Sequence, residues 1–229
     1  MTIRQTGARA CLWLAAYLWP LAAFAHDVSG GDRVFVATVD GPAFGPFFYL
    51  GAKHMVTGYD HILFLAGVVL FLFRLRDVVL YVSMFTIGHS TTLLLGVLTG
   101  WGANGHLVDA IIGLSIVYKG VENLGGFAKL GLLFDTRLAV LVFGLFHGMG
   151  LATKLIDLSL PHNGLLTNLV GFNLGVEAGQ ILVLTPLVLT LGVARTSPHF
   201  RDGARIASGL LIICGLAITI QQIMGYFTS

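Results

Sequence analysis

The sequence predicts an all-α membrane protein: a polytopic bundle of six transmembrane helices that follows a cleavable signal peptide. The first observation behind this prediction is composition. Of the 229 residues, 56% are hydrophobic and only 10% are charged, which is far from the composition of a soluble domain. The second is that the apolar residues form separate runs, most of which approach the roughly 20 residues that a spanning helix needs. The net charge of +2 gives no indication of a nucleic-acid partner.

Residues 1–25 have the features of a signal peptide. Arg4 and Arg9 precede a short apolar run, and Ala23-Phe24-Ala25 forms an A-x-A cleavage pattern. An uncleaved first helix is the alternative, although the run is short for a span. Cleavage would make His26 the mature amino terminus, where its amine and imidazole could bind a metal together or simply be exposed.

Residues 26–45 are expected to form a short periplasmic lead, with one strand over residues 33–39 and a turn after it. The transmembrane domain then occupies residues 46–229. No disulfide is expected, because Cys11 would leave with the signal peptide and Cys214 has no partner. The six apolar segments of the domain cover residues 46–73, 78–98, 107–124, 138–154, 165–193 and 204–227.

The basic residues predict the orientation, because cytoplasmic loops retain Lys and Arg. A cleaved signal peptide starts the chain outside, and alternation then places most basic residues inside. Six spans return the carboxyl terminus to the outside, so both mature termini are expected in the periplasm, on a multi-pass protein of the inner (plasma) membrane. The inside residues are Arg74, Arg76, Lys119, Lys129, Arg137, Arg195, Arg201 and Arg205, and the outside ones are Arg33, Lys53 and Lys154.

Three histidines, His61, His89 and His147, fall in three different apolar segments. At about 1.5 Å per residue, all three lie roughly 15 to 20 Å from the cytoplasmic boundary. For His61 to reach this depth, the first helix should begin near Lys53. Ionisable side chains inside a membrane are costly and usually mark an ion path or a binding site. Three imidazoles in one layer therefore indicate a metal site or a proton path.

Helical spacing adds polar residues to this layer. His54 and Asp60 share an arc with His61, while Asn173, Glu177 and Gln180 fall at i, i+4 and i+7 on the fifth helix. Because ionisable groups avoid lipid, these stripes are expected to face the bundle interior. The predicted metal residues are His54, Asp60, His61, His89, His147 and Glu177, with Asn173 and Gln180 as support.

A third stripe, Ser115, Tyr118 and Glu122, follows the third helix toward its cytoplasmic end. Asp109 and Glu122, at opposite ends of that helix, are either vestibule residues along the path or ordinary interfacial anchors. Any one of the polar residues taken alone could simply hydrogen-bond to a neighbouring helix. The polar residues at one depth, taken together, indicate a functional site more strongly than any one of them does alone.

The donor set indicates the class of ion. Imidazole nitrogen with some carboxylate oxygen suits nickel, cobalt, zinc, copper or iron, whereas calcium and magnesium need more oxygen ligands. The membrane segments carry no set of cysteines for a thiolate copper or iron-sulfur site. The absence of a G-x-x-x-x-G-K-[ST] pattern excludes ATP hydrolysis by a P-loop.

Five motifs on five successive helices resemble the HupE/UreJ family of membrane proteins: GAKHMVTGYDH (51–61), FTIGHSTTL (85–93), SIVYKGVEN (115–123), FGLFHG (143–148) and FNLGVE (172–177). The resemblance implies a small permease that supplies nickel, or cobalt, to hydrogenase or urease. It also implies metal-path roles for His54, Asp60 and His61 of the H-x5-D-H pattern and for His147. The fourth helix lacks a later His and Glu, so the chain resembles the second branch of the family, and nickel is an inference about the family.

The expected function is therefore a permease for a divalent metal ion rather than an enzyme. Its expected partners are the metal ion, the lipid bilayer, a second copy of the chain and a nickel-enzyme maturation system. One alternative is a membrane enzyme with a permanently bound metal, in which Asp60 or Glu177 is the general base. A second is an accessory subunit that hands metal to a partner, and a third is a proton relay through the same groups.

Overall fold

A computed structural model describes residues 38–132, 134–157 and 163–228 of the chain. Within these ranges the chain is helical and contains no strand, which confirms the all-α prediction. The signal peptide, His26 and most of the expected strand at 33–39 lie outside the described residues. The helices are α1 Phe44–Thr57, α2 Tyr59–Val69, α3 Leu75–Thr99, α4 Gly105–Asn123, α5 Gly126–Lys129, α6 Thr136–Asp157, α7 Leu165–Ala194 and α8 Phe200–Thr228.

Four of the described helices, α3, α6, α7 and α8, are long and apolar enough to cross a membrane. They expose large apolar side chains such as Ile181, Leu182 and Val193, as expected of helices that face lipid. The sequence predicted six spans. The third predicted span, α4, has 19 residues and carries three charged ones, Asp109, Lys119 and Glu122.

The first apolar segment is two helices rather than one helix that begins near Lys53. Helix α1 begins at Phe44, well before Lys53, and ends at Thr57; Gly58 is extended, with φ −76° and ψ 92°, and α2 begins at the next residue. A Cβ at position 58 would lie 2.9 Å from both the carbonyl oxygen of His54 and Nδ1 of His61. The break therefore depends on glycine, and it places His61 in the first turn of a new, buried helix.

The helices pack as three pairs, α1 with α7, α3 with α6 and α4 with α8, around the central helix α2. Each pair approaches closely at glycines, including Gly175, Gly148 and Gly113, where a Cβ would collide with the backbone of the partner helix. Small residues allow such backbone contact between membrane helices. Phe64 and Leu65 of α2 are fully buried, so this short helix, the second half of the broken first segment, forms the centre of the bundle.

The start of α1 is fixed to α7 by Asn168. The side-chain oxygen of Asn168 accepts a hydrogen bond from the backbone N–H of Ala43 at 2.6 Å, and its Nδ2 donates to the carbonyl oxygen of Gly41 at 3.1 Å. The amide is buried, where unmade hydrogen bonds are costly. This clamp sets the position of α1 and therefore of His54 near its end.

Arg195 caps the end of α2. Its Nη2 donates to the carbonyl oxygens of Val69 at 2.7 Å and Leu70 at 3.2 Å, and its guanidinium lies 4.7 Å from the centroid of the Phe73 ring. We expect Arg195→Ala to destabilise the protein by about 1 to 3 kcal/mol, because the last carbonyls of a helix otherwise lack partners. Thermal unfolding of the purified protein in detergent, followed by circular dichroism, would measure this.

The matched control is Arg205→Ala. Arg205 pairs with Asp202 at 3.3 Å, and both side chains are mostly exposed, so its loss should change stability little. Equal effects of the two substitutions would show that the cap on α2 does not stabilise the fold.

Candidate functional site

Four histidines from four helices converge, with His61 at their centre. The ring centroid of His61 lies 5.1 Å from that of His54 on α1, 5.7 Å from that of His89 on α3 and 4.7 Å from that of His147 on α6. His61, His89 and His147 are 3%, 0% and 1% exposed, respectively, and His54 is partly buried. The structure thus brings together the three histidines that the sequence placed at one depth and His54, which the sequence also predicted as a metal residue.

The close packing of α3 and α6 brings His89 and His147 to this point. Gly148 lies against the backbone of His89, where a Cβ would collide with the His89 carbonyl oxygen. Thr92 Oγ1 donates a hydrogen bond to the carbonyl oxygen of Leu145 at 2.7 Å, across the same helix pair. The glycine contact and this hydrogen bond hold the two imidazoles on facing helices within reach of His61.

Aromatic side chains enclose the histidines on one side. The ring of Phe85 lies 5.0 Å from that of His147 and 6.1 Å from that of His61, and the ring of Phe64 lies 5.6 Å from that of His147. Phe64 and Phe85 are both almost fully buried. They exclude water from this side of the site, which strengthens electrostatic interactions within it.

The potential ligand atoms form two groups. One nitrogen from each of His54, His61 and His89 lies within 4.8 Å of the others, and so does one ligand atom from each of Asp60, His61 and His147. Nitrogen ligands lie about 2.0 to 2.1 Å from a bound zinc ion, so two ligands of one ion are separated by roughly 4 Å or less. Small side-chain adjustments would bring either group to that spacing.

Several of the histidine nitrogens are buried without a hydrogen-bond partner among the described residues. They are Nε2 of His54, Nε2 of His61 and both ring nitrogens of His89. Buried polar groups almost always have a partner, and each exception needs an explanation such as an ion or a water. Imidazole nitrogens this close together inside a membrane protein are well suited to a transition-metal cation.

Two other nitrogens are oriented by neighbouring side chains. Nδ1 of His61 lies 3.1 Å from Oδ1 of Asp60, and Nε2 of His147 lies 3.4 Å from Oγ of Ser115. Such contacts fix the ring orientation of metal-binding histidines and decide which nitrogen faces the ion. Ser115 was not among the predicted site residues, although the polar stripe along α4 contains it.

Glu177 is exposed on α7, so the expectation that it faces the bundle interior is wrong. Helix α7 packs on α1 through Gly171, Gly175 and Gly179, and this contact turns Glu177 away from the core. Glu177 lies four residues after the buried Asn173 and three residues before the buried Gln180, but its own side chain lies just outside the buried face of the helix. Glu177 belongs to neither group of potential ligands.

Asn173 and Gln180 are buried, as expected of their stripe, yet they contact backbone and α3 rather than the histidines. Asn173 Nδ2 donates to the carbonyl oxygen of Leu169 at 2.9 Å, and Gln180 Oε1 accepts from Thr86 Oγ1 at 2.7 Å. The sequence analysis did not single out Thr86, which lies three residues before His89. Its hydrogen bond ties α7 to the helix that carries that histidine.

Asp109 and Glu122 take part in ion pairs at the two ends of α4. Asp109 Oδ2 lies 3.2 Å from Nζ of Lys154 on α6, and Glu122 Oε2 lies 2.6 Å from Nζ of Lys119. Glu122 also accepts a hydrogen bond from Thr136 at the start of α6. Neither acid belongs to the two ligand groups, and both connect α4 to basic or hydroxyl side chains.

Comparison with known proteins gives one match. The family model described as HupE / UreJ protein matches residues 31–229, a range that contains every described helix and all five motifs. No curated protein and no solved structure matched the chain. Because the match covers most of its length, the chain belongs to the HupE/UreJ family.

Proposed function

We propose that the protein is a permease for a divalent transition-metal ion, with nickel as the first candidate and cobalt as the second. The observation that carries the proposal is the convergence of four histidines on four helices, with one nitrogen from each of His54, His61 and His89 within 4.8 Å of the others. The HupE/UreJ family is associated with nickel and cobalt transport, which supports the choice of ions. A nickel-enzyme maturation system would then receive the ion.

The chemistry of the site supports transport rather than permanent storage. Imidazoles with one carboxylate, Asp60, bind nickel, cobalt, zinc, copper and iron, and the carboxylate offsets part of the ionic charge in a medium of low dielectric constant. A permease must also release its ion. The ligands come from several helices that meet at glycine contacts, so a small movement of one helix pair would separate them.

We further propose that the chain spans the inner membrane six times, after removal of the signal peptide. Helices α1 and α2 together form one broken span. Helix α4 is another span, and its charged residues lower its mean hydropathy. Transporters often carry their sites at such helix breaks near the membrane midplane. The break at Gly58 lies beside Asp60 and His61, which supports this assignment, with both mature termini in the periplasm.

His89→Ala is expected to reduce nickel uptake by at least about 10- to 100-fold, because the loss of a group that only supports a metal ligand already has an effect of that size. The experiment measures radioactive nickel uptake in cells that lack their own nickel transporters, at equal expression, with cobalt, zinc and copper as competitors. His106→Ala is the matched control, because Nδ1 of His106 contacts Oε1 of Gln222 at 2.8 Å, outside both ligand groups. It should leave uptake unchanged.

Wild-type uptake at background for nickel and for labelled cobalt, zinc and copper, despite folded protein in the membrane, would count against the permease. Full uptake by His89→Ala would count against His89 as a ligand on the metal path. Metal that remains bound after purification at fixed stoichiometry, without any flux, would instead favour a membrane enzyme with a permanently bound metal. Loading that depends on a second membrane protein would favour an accessory subunit.

A further inference from the structure

We propose that the site contains two adjoining cation positions that share His61 and are occupied one at a time. The first position is formed by His54, His61 and His89, and the second by Asp60, His61 and His147. This inference rests on the proposed function, since it concerns how the same ion moves through the same residues. It differs from a single site in which four histidines bind the ion together.

The first position consists of neutral nitrogen donors only. Its three imidazoles come from α1, α2 and α3, and the rings of His54 and His89 lie 5.1 and 5.7 Å from that of His61. Nε2 of His54, Nε2 of His61 and both nitrogens of His89 have no hydrogen-bond partner among the described residues. Because Nδ1 of His61 faces Asp60 at 3.1 Å, Nε2 is the nitrogen that this position would use.

The second position contains a carboxylate. Asp60 contributes it, and the ring of His147 lies 4.7 Å from that of His61. Ser115 Oγ donates its proton to the carbonyl oxygen of Ile112 at 2.6 Å, so it can only accept from Nε2 of His147 at 3.4 Å. Nδ1 is then the nitrogen of His147 that carries a lone pair for the ion. The carboxylate makes this position electrostatically more attractive to a cation.

The distances favour two positions over one. The two groups overlap only at His61, and among the described residues no four potential ligand atoms all lie within 4.8 Å of one another. Two divalent cations on either side of one imidazole would repel each other strongly in a medium of low dielectric constant. This repulsion favours occupation of one position at a time.

A shared ligand also solves a physical problem of transport. An ion without ligands inside a membrane protein is very unfavourable, because it has lost its water and gained nothing in return. If the ring proton of His61 passes from Nδ1 to Nε2 as the ion exchanges His54 and His89 for Asp60 and His147, the same imidazole offers its one lone pair to each position in turn. The two positions are then separated only by one ring. His61 lies in the first turn of α2, next to the break at Gly58, at the centre of both groups.

The test uses the purified full-length protein in lipid nanodiscs, with nickel and cobalt as separate probes. Equilibrium dialysis gives the number of ions bound, and X-ray absorption at the metal edge gives the number of imidazole ligands. Wild type and His147→Ala should each bind one ion, and in His147→Ala the ligands should be three imidazoles. His54→Ala should also bind one ion, with two imidazoles and a carboxylate, whereas His61→Ala should weaken binding at least tenfold more than either.

The outcomes are distinct. If His54→Ala, His61→Ala and His147→Ala each lost one imidazole ligand, with a similar fall in affinity, the histidines would form a single site. If wild type bound two ions, the two positions would not be occupied one at a time. Either result would overturn the inference, while normal uptake by wild type would leave the proposed function standing. If wild type neither bound nor took up the metal, both this inference and the proposed function would be overturned. His61→Gln, with circular dichroism, separates ligand loss from unfolding, and His106→Ala is the control.

Discussion

Gly148→Ala is expected to abolish metal uptake and to destabilise the protein. The added Cβ would collide with the His89 carbonyl oxygen, which is backbone and cannot move aside independently. Helices α3 and α6 would have to separate, and overpacking of this kind costs about 1 to 3 kcal/mol or more. The same separation would move His89 and His147 away from His61. Nickel uptake at equal expression and the midpoint of thermal unfolding in detergent would measure the two effects.

Gly209→Ala provides the matched control, since a Cβ added at this glycine of α8 would have no neighbouring atom within 4 Å. It should leave uptake unchanged and the thermal midpoint unchanged or slightly higher, because alanine favours a helix interior over glycine by up to about 1 kcal/mol. If Gly148→Ala behaved in the same way, close contact between α3 and α6 would not be what positions the two histidines.

Asp60→Asn is expected to weaken nickel binding by about 10- to 100-fold. The side chain keeps its shape, and its oxygen can still accept a hydrogen bond from Nδ1 of His61, so the ring should keep its orientation. The substitution removes the negative charge that offsets the cation at the centre of the bundle. Equilibrium dialysis of the purified protein with nickel would give the change in affinity, and uptake should fall in parallel.

The control for this charge is Asp202→Asn. Asp202 is 73% exposed at its side chain and pairs with Arg205 at the start of α8, far in sequence from both ligand groups. Its substitution should change neither affinity nor uptake. Unchanged affinity in Asp60→Asn would instead show that the carboxylate only orients His61.

The amino-acid sequence was sufficient to predict the class of protein and most of the candidate ligands. Hydropathy is a local property, so runs of apolar residues indicate membrane helices before any packing is known. The cost of an ionisable group inside the bilayer is also a property of the residue and its depth. For this reason His61, His89 and His147 could be singled out from their depth in the apolar segments. His54 was predicted from its spacing to His61 on one continuous helix, but the helix breaks at Gly58, so the fold around the break brings the two rings to 5.1 Å.

Which polar residues meet depends on the packing of the helices. Helical spacing places Glu177 near Asn173 and Gln180, but the glycine contact between α7 and α1 determines which side of that stripe is buried, and Glu177 is exposed. The extended conformation of Gly58, which divides the first span, likewise depends on the atoms around it. Whether a face is buried is determined by the helices that pack against it, and these are far away in the sequence. The division of the potential ligand atoms into two groups around His61 follows from that packing.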